Sequence, residues 1–257
     1  MKIVKILFCF FVITSTDVYS QNQSGSLVDF VNPLVGSDSA FELSNGNTYP
    51  AIATPWGMNF WTPQTGEMGN GWGYTYDANK IRGFKQTHQP SPWINDYAAF
   101  SLFPETGKLQ INEDERASWF SHKAEISKPH YYKVYLADYD VTTEIVPTER
   151  GAQFQFTFPK TENAHVLVDG FFKGSMVKVF PKERKVVGYC RNNSGGVPEN
   201  FHNYFVIYFD KDPLIALRGC TPPNGPLHML GAWDGIWGVA AQYAVRTHAC
   251  FGWRGGW

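Results

Sequence analysis

The chain lacks most of what marks a nucleic-acid binder, a metal protein or a helical bundle. Its 22 Lys and Arg are offset by 23 Asp and Glu, for a net charge of −1. No run of Lys and Arg forms a basic stripe, which argues against nucleic acid as a partner. The short cluster Lys182-Glu183-Arg184-Lys185 follows a proline and reads as a solvated turn. Cysteine is scarce, at four in 257 residues, with no CxxC pair and no zinc-ligand spacing. Without Cys9, the remaining Cys190, Cys220 and Cys250 leave at least one thiol unpaired in an oxidising compartment. No segment between Ser26 and Asp210 carries a helical period. The apolar run Ile6 to Ile13 is too short for the ~20 residues that cross a bilayer.

That run, preceded by Lys2 and Lys5 and followed by Val18-Tyr19-Ser20, has the form of a secretory signal peptide. The expected organisation is a signal peptide over 1–20, a polar leader over 21–27, a β-sandwich domain over 28–212 and an aberrant tail over 213–257. Export places the mature chain in the periplasm or outside the cell.

What the chain has in abundance is aromatic residues, at 16%. The stretch Asn45 to Pro104 concentrates Trp56, Trp61, Trp72 and Trp93 with Tyr49, Tyr74, Tyr76 and Tyr97. Pro50, Pro55, Pro63, Pro90, Pro92 and seven glycines interrupt it. So many breakers suggest irregular, aromatic-walled backbone. Trp56, Phe60 and Trp61 read as core. Trp93 differs, because it sits in the polar run His88-Gln89-Pro90-Ser91-Pro92-Trp93-Ile94-Asn95-Asp96. Two prolines at alternate positions stiffen that run, which then presents the indole as a platform among hydrogen-bonding groups. Flat rings suit the C–H faces of sugars, and neighbouring Asn, Gln and Asp suit their hydroxyls.

From Tyr97 onward the pattern is strand after strand. Expected strands cover Tyr97–Phe103, Lys108–Asn112, Tyr131–Leu136, Val141–Pro147, Gln153–Phe158, Ala164–Val168, Ser175–Phe180, Lys185–Tyr189 and Tyr204–Phe209. Phe154, Phe156 and Phe158 alternate with Gln153, Gln155 and Thr157. Tyr204–Phe209 is apolar on both faces, as a central strand would be. Val28 to Asp38 is expected to begin a first strand and turn. Short strands at this spacing imply an all-β, antiparallel sandwich.

Four segments, VNPLVGSDS, GNTYPAIATPWGM, GYTYDANKIRGFKQTHQPSPWINDY and HNYFVIYFD, resemble the N-terminal region of glycoside hydrolase family 92. The resemblance runs from about Val28 to Asp210. It implies a secreted, calcium-dependent, inverting α-mannosidase, and HQPSPWIND resembles the loop of the α-1,2-specific members. There Trp93 would wall the leaving-sugar subsite, with Gln89, Asn95, Asp96 and His88 around it, and the loop Phe41 to Asn47 would lie near the pocket. Mannose-containing glycans are the implied partners. An inverting glycosidase needs a carboxylic acid and a carboxylate base. In this family both, with most calcium contacts, belong to a second, (α/α)-toroid domain. No catalytic residue is therefore assigned here, calcium is expected only in the complete enzyme, and a separate chain is one source of the second domain.

Several residues keep two readings. Asp96 serves a polar site or hydrogen-bonds its own loop. His88 orients a sugar hydroxyl or is a half-buried loop histidine. Arg82 clamps Asp96 or another carboxylate, ahead of touching sugar. A metal site from His88, Asp96 and His122 fits no zinc spacing. The tail, Pro213 to Trp257, has no Lys and no Glu but four of the nine Trp. It reads as an out-of-frame or recombined end, poorly ordered, or else as a true extension packed on the sandwich. The whole is then a truncated mannosidase piece, a non-catalytic mannoside-binding module, or a gene remnant.

Overall fold

The computed structural model describes residues 26–38, 48–66, 73–87, 100–170, 175–191, 193 and 195–210, with the backbone of three further strands at 214–219, 237–243 and 247–252. In chain order the strands are β1 (Phe60–Gln64), β2 (Lys80–Ile81), β3 (Gly83–Thr87), β4 (Phe100–Thr106), β5 (Ser118–Trp119), β6 (Ile126–Lys128), β7 (Tyr131–Leu136) and β8 (Val141–Pro147). They continue as β9 (Gly151–Thr157), β10 (Ala164–Gly170), β11 (Ser175–Phe180), β12 (Lys185–Cys190), β13 (Asn203–Phe209), β14 (Leu214–Gly219), β15 (Trp237–Tyr243) and β16 (Thr247–Gly252). One α-helical turn, α1, covers Glu113–Arg116.

A six-stranded sheet has the order β1-β3-β4-β10-β15-β14, and an eight-stranded sheet the order β11-β12-β13-β16-β9-β8-β7-β6. Every neighbouring pair in the two sheets is antiparallel. The core between them is aromatic. Trp61 of the six-stranded sheet meets Phe154 of the other edge-on at 4.8 Å, and Phe84 meets Tyr132 at 6.3 Å. Tyr132, Val134, Leu136, Ile145, Phe154, Phe156 and Ile207 are fully buried from the other side, as the period-two patterns of their strands require.

The expected all-β antiparallel sandwich is the fold, but some elements differ. Val28–Asp38 forms no strand. Leu27–Phe30 is a 3-10 turn, and the chain then folds tightly because Asn32 Oδ1 accepts from Leu34 N at 3.0 Å and Gly36 adopts φ 79°. Lys108–Asn112 forms no strand either, since side chains take its backbone groups. Gln110 N donates to Glu105 Oε2 at 2.8 Å, Arg116 Nη1 donates to Ile111 O at 2.9 Å, and Asn112 Oδ1 caps α1. Two strands, β1 and β3, run inside the stretch read as irregular. Pro63 is tolerated because β1 is an edge strand, where the missing N–H costs no ladder bond. Trp61 is core and Phe60 half-buried, whereas Trp56 is 98% exposed. β13 is central in its sheet, yet Tyr204 and Tyr208 leave its outer face exposed.

The described parts of the tail run as β14, β15 and β16. β15 lies between β10 and β14, and β16 between β13 and β9.

Candidate functional site

Because side chains alternate along a strand, the outer face of the six-stranded sheet is set by its core face. Trp61, Phe84, Leu102 and Val168 point inward and are buried. Their neighbours Thr62, Lys85, Ser101 and Asp169 therefore share the opposite face. The register places these four in one row: Thr62 opposite Lys85, Lys85 opposite Ser101, and Ser101 opposite Asp169. All four are buried, although polar, so a further layer covers this face.

One cover is α1. Arg116, fully buried, reaches down to Asp169 with 2.6 Å between Nη2 and Oδ2. Its Nε donates to Arg82 O at 2.8 Å, and its own carbonyl accepts from Tyr139 Oη at 3.0 Å. Arg82 pairs with Asp114 at 2.7 Å, the carboxylate clamp expected of it. Burial pushes the Asp169 carboxyl above the usual carboxylate range, and the Arg116 charge only partly opposes it. Glu105 is also buried, and burial raises its pKa to about 7, against the opposing Gln110 N–H and Arg116.

Another cover is the stem at Gly73, one of three described stems that flank segments 39–47, 67–72 and 88–99. Thr48 N donates to Gly36 O at 3.2 Å and Thr48 Oγ1 to Val35 O at 2.7 Å, closing the base of the first segment. Thr65 N and Gly66 N both donate to Gly73 O, closing the second. Gln86 opposite Phe100 closes the third. Tyr76 N donates to Ser37 O at 2.9 Å, joining the first stem to the second. Gly73 passes directly above Lys85, so closely that a Cβ there would lie 2.9 Å from Lys85 Nζ. Lys85 is in turn three residues before the start of the third segment.

The residues expected to hold sugar, namely His88, Gln89, Trp93, Asn95 and Asp96, lie outside the described residues, as does the loop Phe41 to Asn47. What the structure adds is the polar floor beneath their stems, which sequence reasoning missed. The available signal was Asp169 at the end of the apolar run Val166 to Val168 in AHVLVDG; nothing in GFKQT marks Lys85 as buried.

Beside the 88–99 stem, lined by residues of both sheets, is a shallow, solvent-open depression. Asn59, Trp61, Gln86, Phe100, Arg150 and Asn203 line it. Asn203 Nδ2 bridges the sheets by donating to Gln86 Oε1 at 3.1 Å. Asn59 Oδ1 is buried with no hydrogen-bond partner among the described residues. Amides and a guanidinium can bind hydroxyl groups, but among the described residues the lining offers no carboxyl group for proton transfer.

Among the described residues no cluster of three or more His, Cys, Asp or Glu is placed to hold a metal ion. His122, weighed above as a ligand, is engaged elsewhere. Its Nδ1 faces Glu125 at 2.6 Å, its Nε2 faces Tyr76 O at 2.8 Å, and its ring stacks on Tyr76. No described helix is long and apolar enough to cross a membrane.

The model of the glycosyl hydrolase family 92 N-terminal domain matches residues 30–217. Among solved structures, the chain is similar to the family GH92 inverting mannosidase BT2199 from Bacteroides thetaiotaomicron VPI-5482, with 42% identity and a TM-score of 0.79. That match covers 88% of this chain and 31% of that one. The α-mannosidase BT3965 from Bacteroides thetaiotaomicron shares the fold at 24% identity and a TM-score of 0.71, over 88% of this chain and 33% of that one. The glycosyl hydrolase ccman5 does so at 20% and 0.68, over 88% of this chain and 32% of that one. The chain thus spans about a third of the length of these structures. No curated protein matches it.

Proposed function

Since the chain belongs to glycoside hydrolase family 92, as its N-terminal domain, we propose that it forms one wall of the sugar site of a secreted, calcium-dependent, inverting α-1,2-mannosidase acting on mannoproteins and N-glycans. The observation that supports this reading is that Tyr76 N joins the stems of 39–47 and 67–72 at Ser37 O while Gly73 packs over Lys85, on the strand that leads into 88–99. The last of these segments holds Trp93 and its hydrogen-bonding neighbours. Trp93 supplies the ring at the leaving-sugar subsite, while Gln89, Asn95, Asp96 and His88 supply hydrogen bonds. Calcium and both catalytic carboxyl groups belong to the complete enzyme, and this chain by itself releases no mannose. Lys2, Lys5 and the apolar run Ile6 to Ile13 support export to the periplasm or beyond.

One experiment tests this reading. The full chain is titrated with α-1,2-mannobiose while Trp fluorescence is followed, and mannose release is assayed with calcium present. The expected result is a weak saturable signal, no tighter than about 1 mM or roughly −4 kcal/mol, because half a pocket leaves the ligand exposed. Trp93→Ala abolishes it, and no mannose appears. A signal unchanged in Trp93→Ala overturns the wall, and turnover overturns the dependence on a second domain.

A second reading, a mannoside-binding module with no catalytic partner, is favoured by the ready-made amides at the depression, Asn59, Gln86 and Asn203. It requires micromolar binding by the chain alone, tighter than an open wall provides.

A further inference from the structure

Residues 107–116 lead from β4 through α1 with little apolar material to hold them down. Arg116 is the only buried residue among them. Charge and hydrogen bonds fasten them instead. Each of the three side-chain nitrogens of Arg116 faces an acceptor: Nε the carbonyl of Arg82 at 2.8 Å, Nη1 that of Ile111 at 2.9 Å, and Nη2 the Asp169 carboxyl at 2.6 Å. Asp114 pairs with Arg82 at 2.7 Å. A segment with so few buried apolar contacts opens at less cost than the strands beneath it.

Glu105 lies at the foot of this segment and is fully buried. Its Oε2 accepts from Gln110 N at 2.8 Å, while its Oε1 is withdrawn from solvent with no hydrogen-bond partner. No described cation pairs with it. Arg116 is near enough to favour its charge but is already committed to Asp169. Two other titratable groups face it. His165 stands opposite in the register, with Nε2 3.0 Å from Gly107 O, and Tyr139, whose hydroxyl donates to Arg116 O, lies within reach of its charge. An ionised Glu105 would set two carboxylates around one guanidinium out of water, which disfavours the charged form. Burial accordingly raises its pKa to about 7.

We propose that residues 107–116 form a flap worked by the proton on Glu105, shut over the sheet while that carboxyl is neutral and lifting to admit water once it is ionised. The shut state, with Glu105 near 7, binds the proton more tightly than a lifted, solvated state near 4.5. Lifting therefore becomes easier as pH rises from about 4.5 to about 7 and levels off above. The flap reaches the proposed sugar wall through α1. Glu113 Oε2 accepts from Gln64 Nε2 at 3.4 Å, and the same Nε2 donates to Gly66 O at 3.0 Å. Gly66 N donates to Gly73 O at 3.2 Å, at the base of segment 67–72. A lifted α1 gives up its hold on that base. This consequence for sugar rests on the reading of the chain as one wall of a site; the lifting itself does not.

The test uses no sugar, so that its failure is distinct from failure of the mannobiose titration. Amide hydrogen exchange of the full chain is followed from pH 5 to pH 8, with each rate corrected for the intrinsic pH dependence of exchange. The expected result is that protection at Gln110 and Arg116 falls by roughly a hundredfold across that range, with a smaller fall at Gly66, while the amides of β8 keep theirs. Glu105→Gln holds the flap shut and removes the dependence. Protection at Gln110 that stays level or rises with pH overturns the proposal, because ionisation would then only strengthen its bond to Glu105. An equal fall in β8 overturns it too, since the whole domain would be opening, and this comparison needs the wild type alone. So does the same fall in Glu105→Gln, which would assign the proton elsewhere. Unchanged protection at Gly66 overturns the link to the wall.

Discussion

Arg116 and Asp169 face each other at 2.6 Å, both withdrawn from solvent, and join α1 to the middle of the six-stranded sheet. Removing one partner leaves the other charge buried alone, at a cost of about 3–5 kcal/mol. Arg116→Met is expected to lower the midpoint of thermal unfolding by on the order of 10 °C. Arg116→Met with Asp169→Leu recovers part of that loss, because the double change leaves no orphaned carboxylate. Melting of the wild type and the two variants checks both statements.

Glu105 gives the fold a pH dependence. Its pKa rises from 4.5 to about 7 on folding, chiefly through burial. The native state therefore holds the proton more tightly than the unfolded chain, and this contribution is full below about pH 4.5. It is lost as pH rises through about 7, by on the order of 3 kcal/mol. Denaturant midpoints measured from pH 5 to 8 should fall across that window in the wild type. Glu105→Gln should flatten the fall, since an amide still accepts the Gln110 N–H.

Phe154 packs against Trp61 and Phe84 across the two sheets and is fully buried. Phe154→Ala should destabilise the chain by about 3–5 kcal/mol, the usual cost of an aromatic-sized cavity. Equilibrium urea unfolding measures it. A loss below about 1 kcal/mol would mean that the sheets are not packed through this ring.

Gly83 has no room for a side chain. A Cβ there would collide with Ser101 Oγ and lie 3.0 Å from Gln64 Oε1. Gly83→Ala should cost about 1–3 kcal/mol by overpacking. Ser101→Ala in the same chain should return part of it, an interaction energy that a double-mutant cycle reads directly.

Legibility in the sequence followed how far each signal was local. Phe154 and Phe156 alternate with polar residues, and both are buried as the alternation demands. Tyr131–Leu136, Val141–Pro147 and Ser175–Phe180 agree with the observed strands to the residue. Trp56 and Trp61, five positions apart in one aromatic stretch, could not be told apart. Their opposite fates depend on an isolated bridge between Ile52 and Trp61 and on a turn at Thr54, both tertiary. Arg82 was legible as a clamp because its chemistry calls for a carboxylate, but not that Asp114 provides it. The Thr62–Lys85–Ser101–Asp169 row was invisible for the same reason. Its members come from four strands, and only the register sets them side by side.

The eight-stranded sheet has a late keystone. β16, at residues 247–252, separates β9 from β13, and the described pairings join those two strands only through it. During synthesis, the meander β6 to β9 and the hairpins β11 to β13 therefore emerge as two ribbons, each with a bare edge. Closure waits for a segment nearly a hundred residues beyond β9, a non-local step that slows folding. Until then both edges can pair with other chains. The nascent protein is most in need of a chaperone in that interval, and its yield in cells should respond to chaperone supply more than to the stability of its core.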